Sequence, residues 1–172
     1  MELTQELVRR LFEYRDGELY WKTRPRSDFK TELAYLQWNP KHSGKRAGHL
    51  PAKHGSVAIN KRHYPIHRVI FLWHHGYLPE IVDHADCDPA NNKIENLRAA
   101  TKADNQRNMR KPQNNSSGYK GVVWSKPCQK WMARIKYKGK HLHFGVFNDI
   151  EEAVACVKQQ RERLHGAFAN HG

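Results

Sequence analysis

The sequence predicts an α+β protein in two domains, and three features of the chain point there. Helical and strand spacings both occur in the first hundred or so residues. The stretch Arg110-Lys-Pro-Gln-Asn-Asn-Ser-Ser-Gly118 is polar, contains a helix breaker and offers nothing to bury, which suits a linker. Beyond it the pattern becomes short strands followed by one amphipathic helix. At 172 residues the chain is long enough for one ordinary domain or two small ones. The expected division is an N-terminal domain over 1–110, a linker over 111–117 and a C-terminal domain over 118–172.

Within the first domain, Leu3, Leu7, Leu11 and Tyr14, with Val8, form an apolar stripe that predicts a short helix over 2–14, ended by Asp16-Gly17. Gly17-Glu-Leu-Tyr-Trp-Lys22 alternates apolar and polar residues as a half-buried strand does. Residues 25–55, rich in Pro, Gly, Lys and His, read as mostly loop. A hairpin turning at Asn60-Lys61 is expected over 56–66, and the apolar run from His67 to His74 reads as a buried helix closed by Gly76. In the second domain the predicted strands are Tyr119–Ser125, Trp131–Lys138 and Lys140–Phe147. Asp149 then opens a helix whose stripe is Ile150, Ala153, Val154, Val157 and Leu164, with Gly166 as the stop. Three antiparallel strands packed on one helix can just enclose a small core.

Charge gives the first indication of function. There are 30 Lys and Arg against 17 Asp and Glu, a formal net of +13, which favours a polyanionic partner. Distribution sharpens this. Leu33 to Pro79 holds seven basic residues and no acid, and Arg110 to Gly145 holds nine and no acid. Between them, Glu80 to Asp104 carries six acidic residues: Glu80, Asp83, Asp86, Asp88, Glu95 and Asp104. An acidic island between basic arms suits a metal centre flanked by phosphate-holding surfaces, although a solvated basic surface alone would show similar runs. Cys87, Cys128 and Cys156 are odd in number and far apart, so neither a disulfide framework nor a structural zinc site is expected. No run approaches the roughly 18 apolar residues of a spanning helix, and the N-terminus lacks a signal-peptide layout, so a cytoplasmic protein without membrane contact is expected.

The most informative segment is Val82-Asp-His-Ala-Asp-Cys-Asp-Pro-Ala-Asn-Asn-Lys-Ile-Glu-Asn-Leu-Arg98, followed by Ala100-Thr-Lys-Ala-Asp-Asn105. It resembles the HNH motif of phage- and intron-encoded homing-type endonucleases. Gly17-Glu-Leu-Tyr-Trp-Lys22, Gly44-Lys-Arg-Ala-Gly48 and Tyr64-Pro-Ile-His-Arg68 are also similar to the N-terminal regions of those enzymes, so the likeness covers about residues 7–110. The resemblance implies a ββα-metal fold over about residues 80–110. It also implies His84 as general base, Asp83 and Asn105 as ligands of Mg²⁺ or Mn²⁺, and Asn96 as the residue pinning the loop between two strands.

The residue types make chemical sense beside the likeness. Hydrolysing a phosphodiester requires a deprotonated water, a cation to neutralise the phosphate and help for the departing 3′ oxygen. An imidazole, with an unperturbed pKa near 6.5, suits the first task, and a carboxylate with an amide oxygen suits a hard cation. Asn96 lies twelve positions after His84 and Asn105 nine positions after Asn96, room for a loop and strand and then a turn into a helix. Adjacent residues of a regular strand point to opposite faces, so Asp83 and His84 share one site only through a departure from regular geometry or by reaching around one edge. Asn91 and Asn92 read as turn residues, and Cys87 stands where that family often has glycine. His67 and Arg68 are candidate phosphate contacts, though opening a buried helix is the commoner role for such residues.

In the C-terminal domain, Trp131, Ala133, Ile135 and Tyr137 alternate with Met132, Arg134, Lys136 and Lys138, which makes one sheet face basic. Tyr119-Lys-Gly-Val, Lys130-Trp-Met-Ala-Arg-Ile, Phe144-Gly-Val-Phe and Glu151-Glu-Ala-Val-Ala resemble the DNA-binding domain of plant ethylene-response factors over about residues 117–170. That likeness implies a sheet lying in the major groove, with Lys120, Trp124, Arg134, Lys136 and His143 at the DNA-contacting positions. Val123 and His143 depart from the plant pattern. Packing is the stronger reading for Trp131.

These readings combine into a metal-dependent endonuclease acting on double-stranded DNA, expected to be monomeric with a dimer left open. The alternatives are a non-catalytic DNA-binding regulator with a vestigial centre, and an RNA-binding module, which lacks support because no aromatic-rich sheet motif is present.

Overall fold

The computed structural model describes residues 3–49, 55–109, 111, 113 and 115–172. Lys53 and Arg110, which belong to the basic stretches above, lie outside the described residues, as do the linker's Pro112 and Glu2, where the first helix is expected to begin. Two compact units are present, Met1–Thr101 and Lys102–Gly172. No described helix is long and apolar enough to cross a membrane.

In the first unit, α1 (Gln5–Leu11) is capped by Thr4, whose hydroxyl accepts from the Leu7 amide at 3.2 Å. The helix is shorter than its apolar stripe predicts. Phe12–Arg15 leaves it as β1, paired antiparallel with β2 (Glu18–Trp21). Asp16 and Gly17, φ 45° and 89°, are the hairpin turn and not a helix stop. Phe-Glu-Tyr-Arg satisfies a period of two as well as the helical one, and burying Phe12 completely in the core favours the strand.

Residues 25–55 depart most from expectation, because α2 (Glu32–His42) forms there. Thr31 caps it by accepting from Ala34 N at 3.2 Å. The helix buries no residue and contains Pro40, so it carries neither an apolar stripe nor a clean breaker pattern. Aromatic and amide contacts hold it instead. Trp38 meets Trp21 edge-on with ring centroids 5.3 Å apart, and Asn39 exchanges hydrogen bonds with the backbone of Arg24 at 2.9 and 3.0 Å.

The predicted hairpin is present as β3 (Ser56–Ile59) and β4 (Arg62–Pro65), with Asn60 and Lys61 at positive φ in the turn. It feeds α3 (Ile66–His75), which ends at Gly76. This helix supplies the centre of the core: Ile66, Val69, Ile70, Phe71 and Leu72 pack with Val8, Leu11, Phe12, Leu19 and Val57. From α1, Gln5 and Arg9 both donate to the Trp73 carbonyl, at 3.0 and 2.8 Å, satisfying an acceptor the end of α3 leaves open. Against this core lies a second hairpin of β5 (Ile81–His84) and β6 (Leu97–Ala100), joined by the long loop 85–96.

The second unit opens with α4 (Lys102–Asn108). Its three-stranded antiparallel sheet has the order β7 (Val122–Ser125), β8 (Lys130–Tyr137), β9 (Lys140–Phe147). A register shift falls between Ala133 and Arg134. The last helix, α5 (Ile150–His165), is capped by Asp149, which accepts from Glu151 N at 2.8 Å. Its Ala153, Val154 and Val157 close on Val122, Ala133 and Ile135 of the sheet. Gly121 precedes β7 at φ 86°, where a Cβ would come within 2.7 Å of the Arg134 carbonyl oxygen, so only glycine fits.

Candidate active site

The acidic island folds as a hairpin with a loop cross-linked by side-chain hydrogen bonds. In β5 and β6, Asp83 is the cross-strand partner of Arg98, and His84 that of Leu97. Strand alternation sends the Asp83 and Arg98 side chains to one face and those of His84 and Leu97 to the other. Both polar residues of β5 are buried, Asp83 to 5% and His84 to 8% exposure, so each must find partners inside the fold. Asp83 Oδ2 accepts from Arg98 Nε at 2.9 Å. His84 Nε2 lies 3.0 Å from Asn92 Oδ1. An amide oxygen can only accept, so His84 carries its hydrogen on Nε2 and its basic lone pair on Nδ1. Asn92, itself 5% exposed, is thus the residue that sets the tautomer.

The loop that follows is organised by Asn96. Its Oδ1 accepts from Asp86 N at 3.0 Å, while its Nδ2 donates to Asp86 Oδ1 at 2.9 Å and to the Asn91 carbonyl at 2.8 Å. Asn91 Nδ2 adds a bond to Asp86 Oδ2 at 2.7 Å. Partial burial pushes the Asp86 carboxyl up, but the Asp88 amide, the Asn91 and Asn96 side chains and the nearby His84 outweigh it and hold its pKa below the ordinary value. Cys87 sits at φ 60°, the left-handed region that glycine enters at no cost, which accounts for glycine being common at this position in the resembling family.

His67, the second residue of α3, places its ring 5.1 Å from that of His84. Arg68 beside it donates to the carbonyls of Glu80 and Pro79, both at 3.2 Å, and so straps the chain as it enters β5. Asn105 lies on α4, in the second unit. Among the described residues no group of three or more His, Cys, Asp or Glu converges as a metal cage. Asp83 and Asn105, the ligands the sequence resemblance implies, offer one carboxylate and one amide oxygen, donor types that suit a hard divalent ion. Asn92, Arg98 and Asp86 were not singled out as site residues by sequence reasoning. Asn92 resembles any turn asparagine, and Arg98 becomes meaningful only once the β5–β6 register is known.

In the second unit, the face of the sheet away from α5 brings Arg134 opposite His143 and Lys136 opposite His141. Arg134, Lys136 and His143 are all exposed. Two predicted contacts lie elsewhere. Lys120 turns its ammonium to the carbonyls of Arg107 and Met109 at the end of α4. Trp124 pairs with Trp131 across the strands, on the same side as buried Val122, and meets it edge-on with centroids 5.0 Å apart. At 46% exposure it lies at the margin of the helix-bearing face. Trp131 packs against the core.

Residues 64–107, from β4 into α4, match the family model of the HNH endonuclease, and together with a phage relative this shows that the chain belongs to the HNH endonuclease family. The relative is Protein 3.8 of Escherichia phage T7, 38% identical over 106 residues, which is 59% of this chain and 87% of that protein. No solved structure matches the chain.

Proposed function

We propose that the protein is a metal-dependent endonuclease that hydrolyses phosphodiester bonds of double-stranded DNA, with its nuclease centre at the end of β5. The observation that carries this reading is His84, buried, held by Asn92 in the tautomer that leaves Nδ1 basic, and next to Asp83 in the chain. His84 Nδ1 takes the proton of the attacking water. Asp83 and Asn105 are the residues that would hold Mg²⁺ or Mn²⁺, which when bound neutralises charge on the phosphate and its departing 3′ oxygen. Arg98 orients the Asp83 carboxylate, and Asn96 keeps the loop in place around the centre. A phosphate at the end of β5 must then meet side chains that leave both faces of the strand.

DNA is held by the basic surfaces. The open face of the β7–β8–β9 sheet carries Arg134, Lys136 and His143, and the sequence resemblance to the ethylene-response-factor domain supports reading it as a DNA-contacting face. A sheet of this kind enters a major groove, where an arginine can fork onto a guanine edge and lysines clamp phosphates. His67 lies beside His84, where a scissile strand would pass, and Arg68 is the next residue of the same helix. A phage-encoded protein of this activity would work in the cytosol of the host.

The test is cleavage of supercoiled plasmid in Mg²⁺, with and without EDTA. His84→Ala is expected to abolish cutting while DNA affinity in a gel-shift assay stays within about twofold, since the base acts on the transition state and not on binding. A wild-type cutting rate in that variant refutes the assignment. Tight DNA binding by the wild type with no cutting under any divalent ion supports a DNA-binding regulator instead.

A further inference from the structure

The second unit contains a cavity of about 640 Å³ between α4, the β8 edge that short β7 leaves uncovered, and the last turns of α5. Its wall includes Arg107, Lys120, Lys136, Lys138, Arg161 and His165, and no Asp or Glu. Two of these residues are in unusual environments. Arg161 is 3% exposed, and among the described residues its guanidinium meets the Lys120 carbonyl and, at 3.4 Å, His171 Nδ1, with no carboxylate paired to it. His165 stacks on Tyr137 with ring centroids 6.0 Å apart, and both of its ring nitrogens are buried without a hydrogen-bond partner. A buried arginine lacking an acid and an imidazole lacking any partner are each costly, and they occur at one cavity.

We infer that this cavity binds a phosphate-bearing anion of about nucleotide size. A tetrahedral anion offers several acceptor oxygens, enough to take bonds from His165 and to lie against the Arg161, Arg107 and Lys120 charges that surround it. The volume lies in the range of small-ligand sites and exceeds what a bare phosphate fills. Acids near the wall are few: Asp104 pairs with Arg107 at 2.7 Å, and Glu162 lies 3.3 Å from His171, so the local balance stays positive. The His165 pKa reflects the same surroundings. Burial, and then Arg107, Arg161 and Lys120, drive it down to about 4, and an anion among those cations would reverse the electrostatic part. The site lies in the second unit and does not depend on the nuclease reading.

The phosphoryl group could belong to a free nucleotide or to a DNA backbone, and one experiment separates these sources. The full-length protein is titrated with inorganic phosphate, with a deoxynucleoside 5′-monophosphate and with sodium chloride of matched ionic strength, following the His165 ring resonances by NMR. Phosphate and nucleotide are expected to shift His165 saturably and to raise its pKa, while chloride does not. His165→Phe, which keeps the stacking on Tyr137, and Arg107→Gln are each expected to weaken phosphate binding roughly five- to tenfold, the loss of about one hydrogen bond. If phosphate moves His165 no more than chloride does, or if both variants bind phosphate as tightly as the wild type, the inference is wrong. Release of bound phosphate by duplex DNA assigns the pocket to a backbone phosphate. Tighter binding of the mononucleotide than of phosphate, with no competition from duplex, assigns it to a free nucleotide.

Discussion

Replacing Asn96 with alanine tests whether the loop geometry makes the site. The substitution removes three hydrogen bonds, one from the Asp86 amide and two donated by Nδ2 to Asp86 Oδ1 and the Asn91 carbonyl. Each is worth about 0.5–1.5 kcal/mol net, and Asp86 is exposed, so water recovers part of the loss and values near the lower end apply. The loop is then destabilised by about 2 kcal/mol, roughly a thirtyfold change in its opening equilibrium. Amide hydrogen exchange reads that change at the Asp86 N–H, which bonds to the deleted side chain. The Asp86 carboxyl should also titrate closer to its ordinary value, because Asn96 is one of the groups holding it down. Plasmid cleavage should fall steeply while DNA affinity changes little. An Asp86 amide as protected as in the wild type, with wild-type cutting, would refute the claim that Asn96 organises the loop.

Arg98→Met leaves Asp83 buried without its guanidinium partner, and a loss of about 2 kcal/mol is expected in urea unfolding. The figure is set below that of a fully buried pair because the arginine is 22% exposed, and adding Asp83→Asn should restore part of it. Arg134→Gln with Lys136→Gln should weaken duplex binding and reduce the slope of log K against log salt by about one to two, read from filter binding across a salt series; an unchanged slope would move the DNA to another surface. The depressed His165 favours the folded state when the ring is neutral, so the unfolded chain binds the extra proton. Its contribution is complete above its ordinary value of 6.5 and is lost as pH falls from there to about 4. The thermal midpoint should therefore drop across that window more in the wild type than in His165→Phe, and parallel pH curves would exclude this role.

Much of the fold was legible because it rests on local rules. Asn60-Lys61 turned the hairpin where it stood in the sequence, Gly76 ended α3, and Asp149 and Gly166 bracketed α5, since turn and cap preferences belong to a few adjacent residues. The apolar stripe of α5 and the alternation in β8 were equally plain, because each follows the period of its own element. The reading failed where local rules were satisfied twice or not at all. Phe12–Arg15 fitted both periods and burial chose the strand, while α2 shows no stripe because it buries no residue and holds on by Trp38 and Asn39.

The order of the motif on its own placed Asp83, His84 and Asn96 in one short stretch of chain, and composition alone favoured a polyanionic partner. Tertiary structure decided what each of them touches. Register made Arg98 the partner of Asp83, a loop folded back to set Asn92 against His84, and the short reach of β7 uncovered the edge beside His165. Spacing along a chain fixes which way a side chain can point, but partners arrive from distant residues. Their identity depends on pairing and packing that no local window contains.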